Sequence, residues 1–448
     1  MSIDNVQQGS GSNRRNRKNA IQLHPYLKPH RPPQLHIFMK LHVYSETGPL
    51  SAVIVHTPGK EVSLVNPELR EQLLFDDIIF EADARQEHLE MIEIFRAAVP
   101  DRKNVFEICD LAIETLAIER ARIFFIDELI RSLPGSNIHP LRSELLDLDA
   151  AGLLELIVTG MTASLPKLTL DPAPNMLFTR DLASVVNDRI ILSRAAKPAR
   201  VREFLLMETI ARFHPLFDSL KKNIIHIGKQ DSVEGGDILV ASEEVVLVGI
   251  SERTTFSGLL SITEKLLRDS VRHVVAVDMP KQRSSMHLDT IFTFARQDEC
   301  IVFPPAITER RNNISVFSRV GDRIVVERRE TLQKTLEELF GHPVTFIKCG
   351  GENLTNQYRE QWTDGANVFA LAPGVIVGYE RNTETFKMMK KHGYRILNQR
   401  EFTEEWRDKP FRPGPDEKLA ITFQGNELCR GRGGARCMTL PIIRHKAF

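Results

Sequence analysis

The chain has 448 residues, 42% hydrophobic and 26% charged, an ordinary globular composition with room for two or three domain-sized units. Lys plus Arg and Asp plus Glu each number 59, a balance that gives no bulk reason to expect nucleic acid or an anionic membrane as partner. No apolar run approaches the roughly 20 residues of a bilayer span and no signal-peptide core stands near the start, so a cytoplasmic location is expected.

Residues 1–38 are polar, basic and Gly/Ser/Pro-bearing, with Asp4 as the one acidic residue. They read as a disordered extension; a nucleic-acid arm built on "NRRNRK", or a targeting peptide, is the functional alternative. Met39 stands directly before the first strand-like segment and is a second possible start. "SAVIVHTP" (51–58) reads as a buried strand closed by a Pro-Gly turn. Between 83 and 165, segments such as "RQEHLEMIEIFRAAV" and "LRSELLDLDAAGLLELIVTGM" are apolar at helical spacing, predicting a compact helical insertion, a small bundle.

A strand–loop–helix unit then recurs. It is read in "DRIILSRAAKPARVREFLLMETIARF" and "EVVLVGISERTTFSGLLSITEKLLRD", more loosely after "CIVFPPAITERR", and again in "GVIVGYERNTETFKMMKKHG". With the strand near residue 54 this makes about five strand-centred units, which suggests similar modules around a shared axis rather than one open doubly wound sheet. A site on such an axis would collect residues from distant parts of the chain.

Cys109, Cys300, Cys349, Cys429 and Cys437 are odd in number and lack a CxxC spacing, which argues against a disulfide framework and a zinc site and for a reducing compartment. Four of them read as plain buried or surface thiols. Cys437 differs. In "RGRGGARCMTLPIIR" it follows three glycines and three arginines at the entrance to an apolar run. Cationic neighbours and exposed glycine backbone lower a thiol's pKa and leave room for a ligand, the setting of a nucleophile.

Three other segments offer partners: Asp181 in "PNMLFTRD", Glu234 and Asp237 in "VEGGDILV", and His287 and Asp289 in "MHLDTIFTF". Each alone has an ordinary explanation, as a turn-forming Asp, a hairpin turn and a core histidine. Together with Cys437 they are the parts for Cys–His chemistry on a cationic substrate, because paired carboxylates clamp a guanidinium and a thiolate can add to its carbon.

Taken in order, "LLFDD", "PNMLFTRD", "EGGD", "ISERT", "MHLDT", "REQWTDGANV…PGVIVGYERN" and "GRGGARCMTLPI" resemble the arginine deiminases of the guanidino-group-modifying enzyme superfamily. The resemblance runs from about Leu41 to Arg444, weakens in the helical segment and omits the tail. It implies an α/β fold, a five-bladed pseudo-symmetric α/β propeller (pentein), formed by 39–82 and 166–448, with the all-helical bundle 83–165 inserted. It implies hydrolysis of L-arginine to citrulline and ammonia through an amidino-cysteine intermediate, with no metal or organic cofactor. Cys437 would be the nucleophile, His287 the general acid/base, Glu234 its orienting partner, and Asp181 and Asp289 the guanidinium ligands. Arg200, Arg253 and Arg432 would hold the substrate's α-carboxylate, and Asn175 and Phe178 would line its amino end and side chain. A homo-oligomer, dimer or larger, is expected, with no nucleic-acid or membrane partner.

Two positions depart from the family pattern: Leu182 follows "FTRD", and Arg436 precedes the cysteine where relatives carry a small or polar residue or histidine. Agmatine deiminase, dimethylarginine hydrolase, arginine dihydrolase and amidinotransferase are the nearest alternatives. A binding protein that uses the basic arm is the remote one; presence of all five mechanism residues speaks against a degenerate, non-catalytic relative.

Overall fold

A computed structural model describes residues 39–133 and 138–446. The readings of residues 1–38 as a basic extension and of Met39 as a start therefore concern a segment outside the described residues. The fold is α/β, with five separate sheets among the described residues.

Four sheets share one kernel. A first strand pairs antiparallel with the next, which pairs parallel with a third. The kernels are Ala183–Val186, Arg189–Leu192 and Ile224–His226; Ile238–Val240, Val245–Ile250 and His273–Asp278; Phe292–Arg296, Glu299–Val302 and Thr345–Lys348; and Phe369–Ala372, Val375–Tyr379 and Leu419–Phe423. The fifth repeats the pattern across the ends of the chain: Leu440–Arg444 pairs antiparallel with Leu50–Val55, which pairs parallel with Val105–Glu107. The middle strand of each kernel is the apolar run recognised in the sequence units. Such runs are buried on both faces, as Val375–Tyr379 is throughout, so they carry no alternation.

The unit after "CIVFPP" is looser for a topological reason. The hairpin Ile314–Val320/Arg323–Arg329 leaves its own sheet and extends the neighbouring one, pairing antiparallel with His273–Asp278. Only then does the helix Leu332–Phe340 lead to the closing strand Thr345–Lys348.

The segment 83–165 is mostly helical, with one strand in it. The helix Glu81–Ala98 joins Leu50–Val55 to Val105–Glu107, so both belong to the fifth sheet's strand–helix–strand crossover. Three residues are too few to show a strand period in sequence. Ile108–Leu116, Glu119–Ser132, Ile138–Leu146 and Ala150–Thr159 follow as the run of helices. No helix among the described residues is long and apolar enough to cross a membrane.

The helix Glu81–Ala98 also fixes the C-terminal part of the chain. Phe95 packs on Phe369, ring centroids 5.3 Å apart. The buried Glu87 carboxylate accepts the backbone N–H groups of Asn426, Glu427 and Leu428 at 2.8–3.1 Å. Those residues lead into the turn Leu428–Gly431 and on to Cys437. Replacing Glu87 by Ala leaves these donors without their carboxylate, and a loss of about 2–3 kcal/mol of stability is expected from urea denaturation. An unchanged midpoint would show that Glu87 does not anchor this segment.

Candidate active site

In every sheet the first strand of the kernel is preceded by a short turn, and the residues of interest sit in those turns. Asp181 lies in the turn Thr179–Leu182 before Ala183. Glu234 caps the turn Gly235–Asp237 before Ile238. His287 and Asp289 flank the start of Leu288–Thr290, shortly before Phe292. Asn367 stands two residues before Phe369, and Cys437 three before Leu440.

The turns meet. His287 Nε2 donates to Glu234 Oε2 at 2.9 Å, and its Nδ1 lies 3.6 Å from Asp181 Oδ1. Cys437 Sγ is 3.6 and 3.8 Å from the Asp289 oxygens. Asn367 ties two turns together: its Oδ1 accepts the Cys437 N–H at 3.0 Å while its Nδ2 donates to the Asp289 carbonyl at 2.9 Å. The Arg180 N–H donates to the Cys437 carbonyl at 3.1 Å. Thus the five residues singled out by Cys–His chemistry are brought together, all of them buried.

Asp237 supports this arrangement from behind. It accepts from Ser251 Oγ at 2.6 Å and from the Leu288 N–H at 2.9 Å, holding the turn beside His287. Burial pushes its carboxyl up to about 6, against the pull of His287 and Ser251.

The electrostatics are set by carboxylates in a low-dielectric place. Burial disfavours the His287 imidazolium, but Asp181, Glu234 and Asp237 raise its pKa to about 9. Burial also opposes the Glu234 carboxylate, which His287, Arg253 and Arg200 nevertheless hold down at about 2. The Cys437 thiol is pushed well above its usual value, first by burial and then by Asp289, Asp181 and Asp364, with Arg436 opposing. The flanking arginines therefore do not make a resting thiolate: the carboxylates outweigh them.

A small cavity of about 10 Å³, room for roughly one water molecule, adjoins these groups, lined by Cys437, His287 and Asp181, by Phe178, Leu74 and Met286, and by Arg200, Arg253, Arg283 and Arg432. Leu74 and Arg432 hold left-handed backbones at φ 64° and 67°, at a cost of roughly 1–2 kcal/mol each, a form of strain that gathers at binding sites. Glu234 and Asp289 stand behind His287 and Cys437.

The substrate-binding residues inferred from resemblance are differently engaged. Arg200 uses its donors within the protein, on Asp181 at 2.5 Å, Glu203 at 2.9 Å and the Asn175 and Phe178 carbonyls. Asn175 lines the cavity but donates its amide to the Leu73 carbonyl at 2.8 Å. Arg253 is looser, 3.5 Å from Glu234 Oε2 and 3.2 Å from Glu252 Oε1. Arg432 stacks on Trp362 at 3.8 Å, donates to the Trp362 carbonyl and reaches the Ser284 carbonyl at 3.3 Å. Phe178 packs beside Gly433, where a Cβ would lie 2.4 Å from its ring.

Several contributors went unnoticed in sequence. Arg283 lines the same cavity, paired with Asp76 at 3.1 Å and bonded to the Leu74 carbonyl. Asn367 lay within the quoted "TDGANV", yet nothing local marks an asparagine as a clamp. Arg436 is fully buried and donates to Asp289 Oδ2 at 2.7 Å and to both oxygens of Glu46 at 2.9 and 3.0 Å. It thus holds Oδ2 of Asp289, the oxygen 3.6 Å from the thiol, while Oδ1 lies 3.8 Å from it.

Asp181, Glu234 and His287 also lie close enough to share a metal ion. Arg200, 2.5 Å from Asp181 and 3.9 Å from Glu234, and the His287 proton compete for the same lone pairs.

A family model described as arginine deiminase matches residues 155–444. An arginine deiminase of Bacillus cereus (strain ATCC 10987 / NRS 248) is 32% identical over 433 residues, covering 90% of this chain and 98% of the relative. The chain belongs to the arginine deiminase family. The arginine deiminase of Mycoplasma capricolum subsp. capricolum is 33% identical over 425 residues, covering 90% and 97%. Among solved structures, dimethylarginine dimethylaminohydrolase from Pseudomonas aeruginosa complexed with citrulline aligns at TM-score 0.48 and 14% identity, covering 88% of this chain and 100% of that one.

The family's glycine pair has a steric reason here. A Cβ on Gly236 would lie 2.7 Å from His287 Cγ and 2.9 Å from Asp181 Oδ1. Gly236→Ala is expected to cost about 1–3 kcal/mol and to displace His287, so the melting temperature and turnover fall together. Full activity in this variant would mean that the turn tolerates a shift the packing forbids.

Proposed function

We propose that this protein hydrolyses L-arginine to L-citrulline and ammonia through a covalent intermediate on Cys437. The observation that carries the reading is a buried thiol and a buried imidazole, each flanked by carboxylates, that line one small cavity together with Asp181. Membership of the arginine deiminase family supports the same reaction.

The substrate guanidinium enters against Asp181 Oδ1, which has no hydrogen-bond partner among the described residues, and is drawn by the charge of Asp289 behind Cys437. Its positive charge offsets the carboxylates that keep Cys437 protonated, so the thiol loses its proton when substrate arrives. The thiolate adds to the guanidinium carbon. The His287 imidazolium gives its proton to the departing nitrogen, and ammonia leaves. Neutral His287, held by Glu234, then takes a proton from water as the oxygen adds to the same carbon. The C–S bond breaks as the proton of the new hydroxyl passes to the sulfur, which releases citrulline and restores the thiol, and the proton the thiol first gave to solvent makes the released ammonia ammonium. Asp181 and Asp289 fix the carbon beside the sulfur. Arg253 and Arg432 are assigned to the α-carboxylate; Arg200, with its donors engaged, is assigned to it only if a substrate oxygen displaces one of its carbonyl partners.

We further propose that the five sheets are blades around a pseudo-fivefold axis, with the helices of 108–159 as the insertion. The common kernel and the five site-bearing turns at its first strands support that reading, as does the placement of the site where the turns meet.

Purified protein given L-arginine is expected to release one citrulline per ammonia, and Cys437→Ala none. Ornithine with two ammonias would instead indicate a dihydrolase, and citrulline from the Cys437 variant would contradict the mechanism. Arg253→Ala should lower kcat/KM for L-arginine roughly 10- to 100-fold, the value of one charge-assisted contact. Inhibition by agmatine, which lacks the carboxylate, should be unchanged; equal weakening of both would remove Arg253 from that role.

The pH profile follows from His287. Its pKa is raised to about 9, so the imidazolium persists through neutrality and is lost as pH rises through that value. The alkaline limb of kcat is expected near pH 9, and Glu234→Gln should move it to lower pH while reducing kcat. An alkaline limb that stays in place in that variant would show that Glu234 does not set the histidine's protonation.

A further inference from the structure

Outside this site the described residues hold a second cluster of metal-ligating side chains. His56 follows the strand Leu50–Val55, Glu107 ends the strand Val105–Glu107, and Cys109 is the second residue of the helix Ile108–Leu116. His56 Nδ1 lies 2.9 Å from Glu107 Oε1 and 3.6 Å from Cys109 Sγ, and one ligand atom from each residue lies within 4.8 Å of the others. We propose that His56, Glu107 and Cys109 bind a borderline-soft divalent cation of the zinc class, with solvent as the fourth ligand.

Three features of the surroundings argue for an ion. First, spacing: tetrahedral zinc bonds of about 2.0–2.3 Å to N, O and S put neighbouring ligand atoms about 3.3–3.6 Å apart. The His56–Cys109 separation already matches, and the His56–Glu107 hydrogen bond has only to open by a few tenths of an ångström. Second, orientation: His56 Nε2 is 3.1 Å from Glu61 Oε1, itself held by the Gly59 N–H at 2.8 Å. Metal-bound histidines donate their other ring N–H to a carboxylate in this way, which turns the Nδ1 lone pair toward the ion. Glu107 is similarly prepared, because Oε2 accepts the Thr57 N–H at 2.8 Å and leaves Oε1 to bind. Third, access: the Glu107 side chain is 24% exposed while His56 and Glu61 are fully buried, so an ion and its water enter from the Glu107 side.

Without an ion, His56 faces a carboxylate from each ring nitrogen and the Cys109 thiol from Nδ1. A divalent cation takes the place of the Nδ1 proton and the thiol proton. Cysteine spacing gives no hint of this, since Glu107 at a strand end and Cys109 in the helix after it lie some fifty residues from His56 and no CxxC is involved.

The experiment uses the full chain, stripped with a chelator and titrated with Co²⁺, whose thiolate charge-transfer absorption reports a Co–S bond. A band saturating at one ion per chain is expected, retained in Cys437→Ser and lost in Cys109→Ser. Two protons should be released per ion in weakly buffered solution. Glu61→Gln should weaken binding about 10- to 100-fold, the usual effect of removing a carboxylate that orients a metal-bound histidine. Glu107→Gln, at the partly exposed ligand, should weaken binding even if Cys109→Ser fails to fold, as judged by its metal-free melting curve. Absence of the band in the unmutated chain, its survival in Cys109→Ser, or its loss in Cys437→Ser alone would overturn the assignment.

Discussion

Burying Asp181, Glu234 and Asp289 in one place obliges the chain to bury cations with them, and much of the centre of the molecule follows from that demand. Unpaired, each carboxylate would carry a desolvation cost of several kcal/mol. Arg200 serves Asp181 and Glu203, Arg253 approaches Glu234, Arg436 joins Asp289 to Glu46, and His287 lies between Asp181 and Glu234. The pairing is incomplete. Asp181 Oδ1 keeps no hydrogen-bond partner among the described residues, and it lies beside the thiol's cavity. A carboxylate oxygen without a hydrogen bond beside that cavity favours a ligand that brings its own planar cation.

The backbone meets this demand with one device used five times. Each kernel's first strand begins just after a turn, so strands buried within their own sheets deliver polar residues to a common place without interrupting their ladders. Glycines make the close approach possible at the points that matter, Gly236 beneath His287 and Gly433 beside Phe178 and Cys437. Asn367, the contribution of the fourth kernel, offers no charge. Its amide fixes Cys437 and Asp289 relative to each other, which is a positioning task on which the attack distance depends.

How much of this was legible in the sequence depended on how local each signal was. Cys437, His287, Glu234, Asp181 and Asp289 stood in short motifs whose residue types fit one chemistry, and the structure gathers them. The apolar middle strands were legible because burial on both faces leaves continuous Val/Ile/Leu runs. The first strands were not read as a repeated feature, since only their turns carry motif residues. Val105–Glu107 was hidden by its length and by the helices on either side. Arg436 was visible only as a departure from pattern, because Glu46 lies 390 positions away and no spacing rule connects them. The reading that flanking arginines would acidify Cys437 fails for a related reason: Arg436 is engaged by Glu46 and Asp289, and Arg432 by Trp362 and Ser284, so burial and then the nearer carboxylates decide the thiol's state.

The central claim is that Cys437 takes the amidino carbon of the substrate before water does. Acid quenching during steady-state turnover of L-arginine, followed by peptide mass spectrometry, tests it directly. The account predicts that the peptide holding Cys437 gains the mass of arginine less ammonia, and that the adduct disappears once substrate is exhausted. Citrulline formation with Cys437 unmodified at every quench time would contradict it.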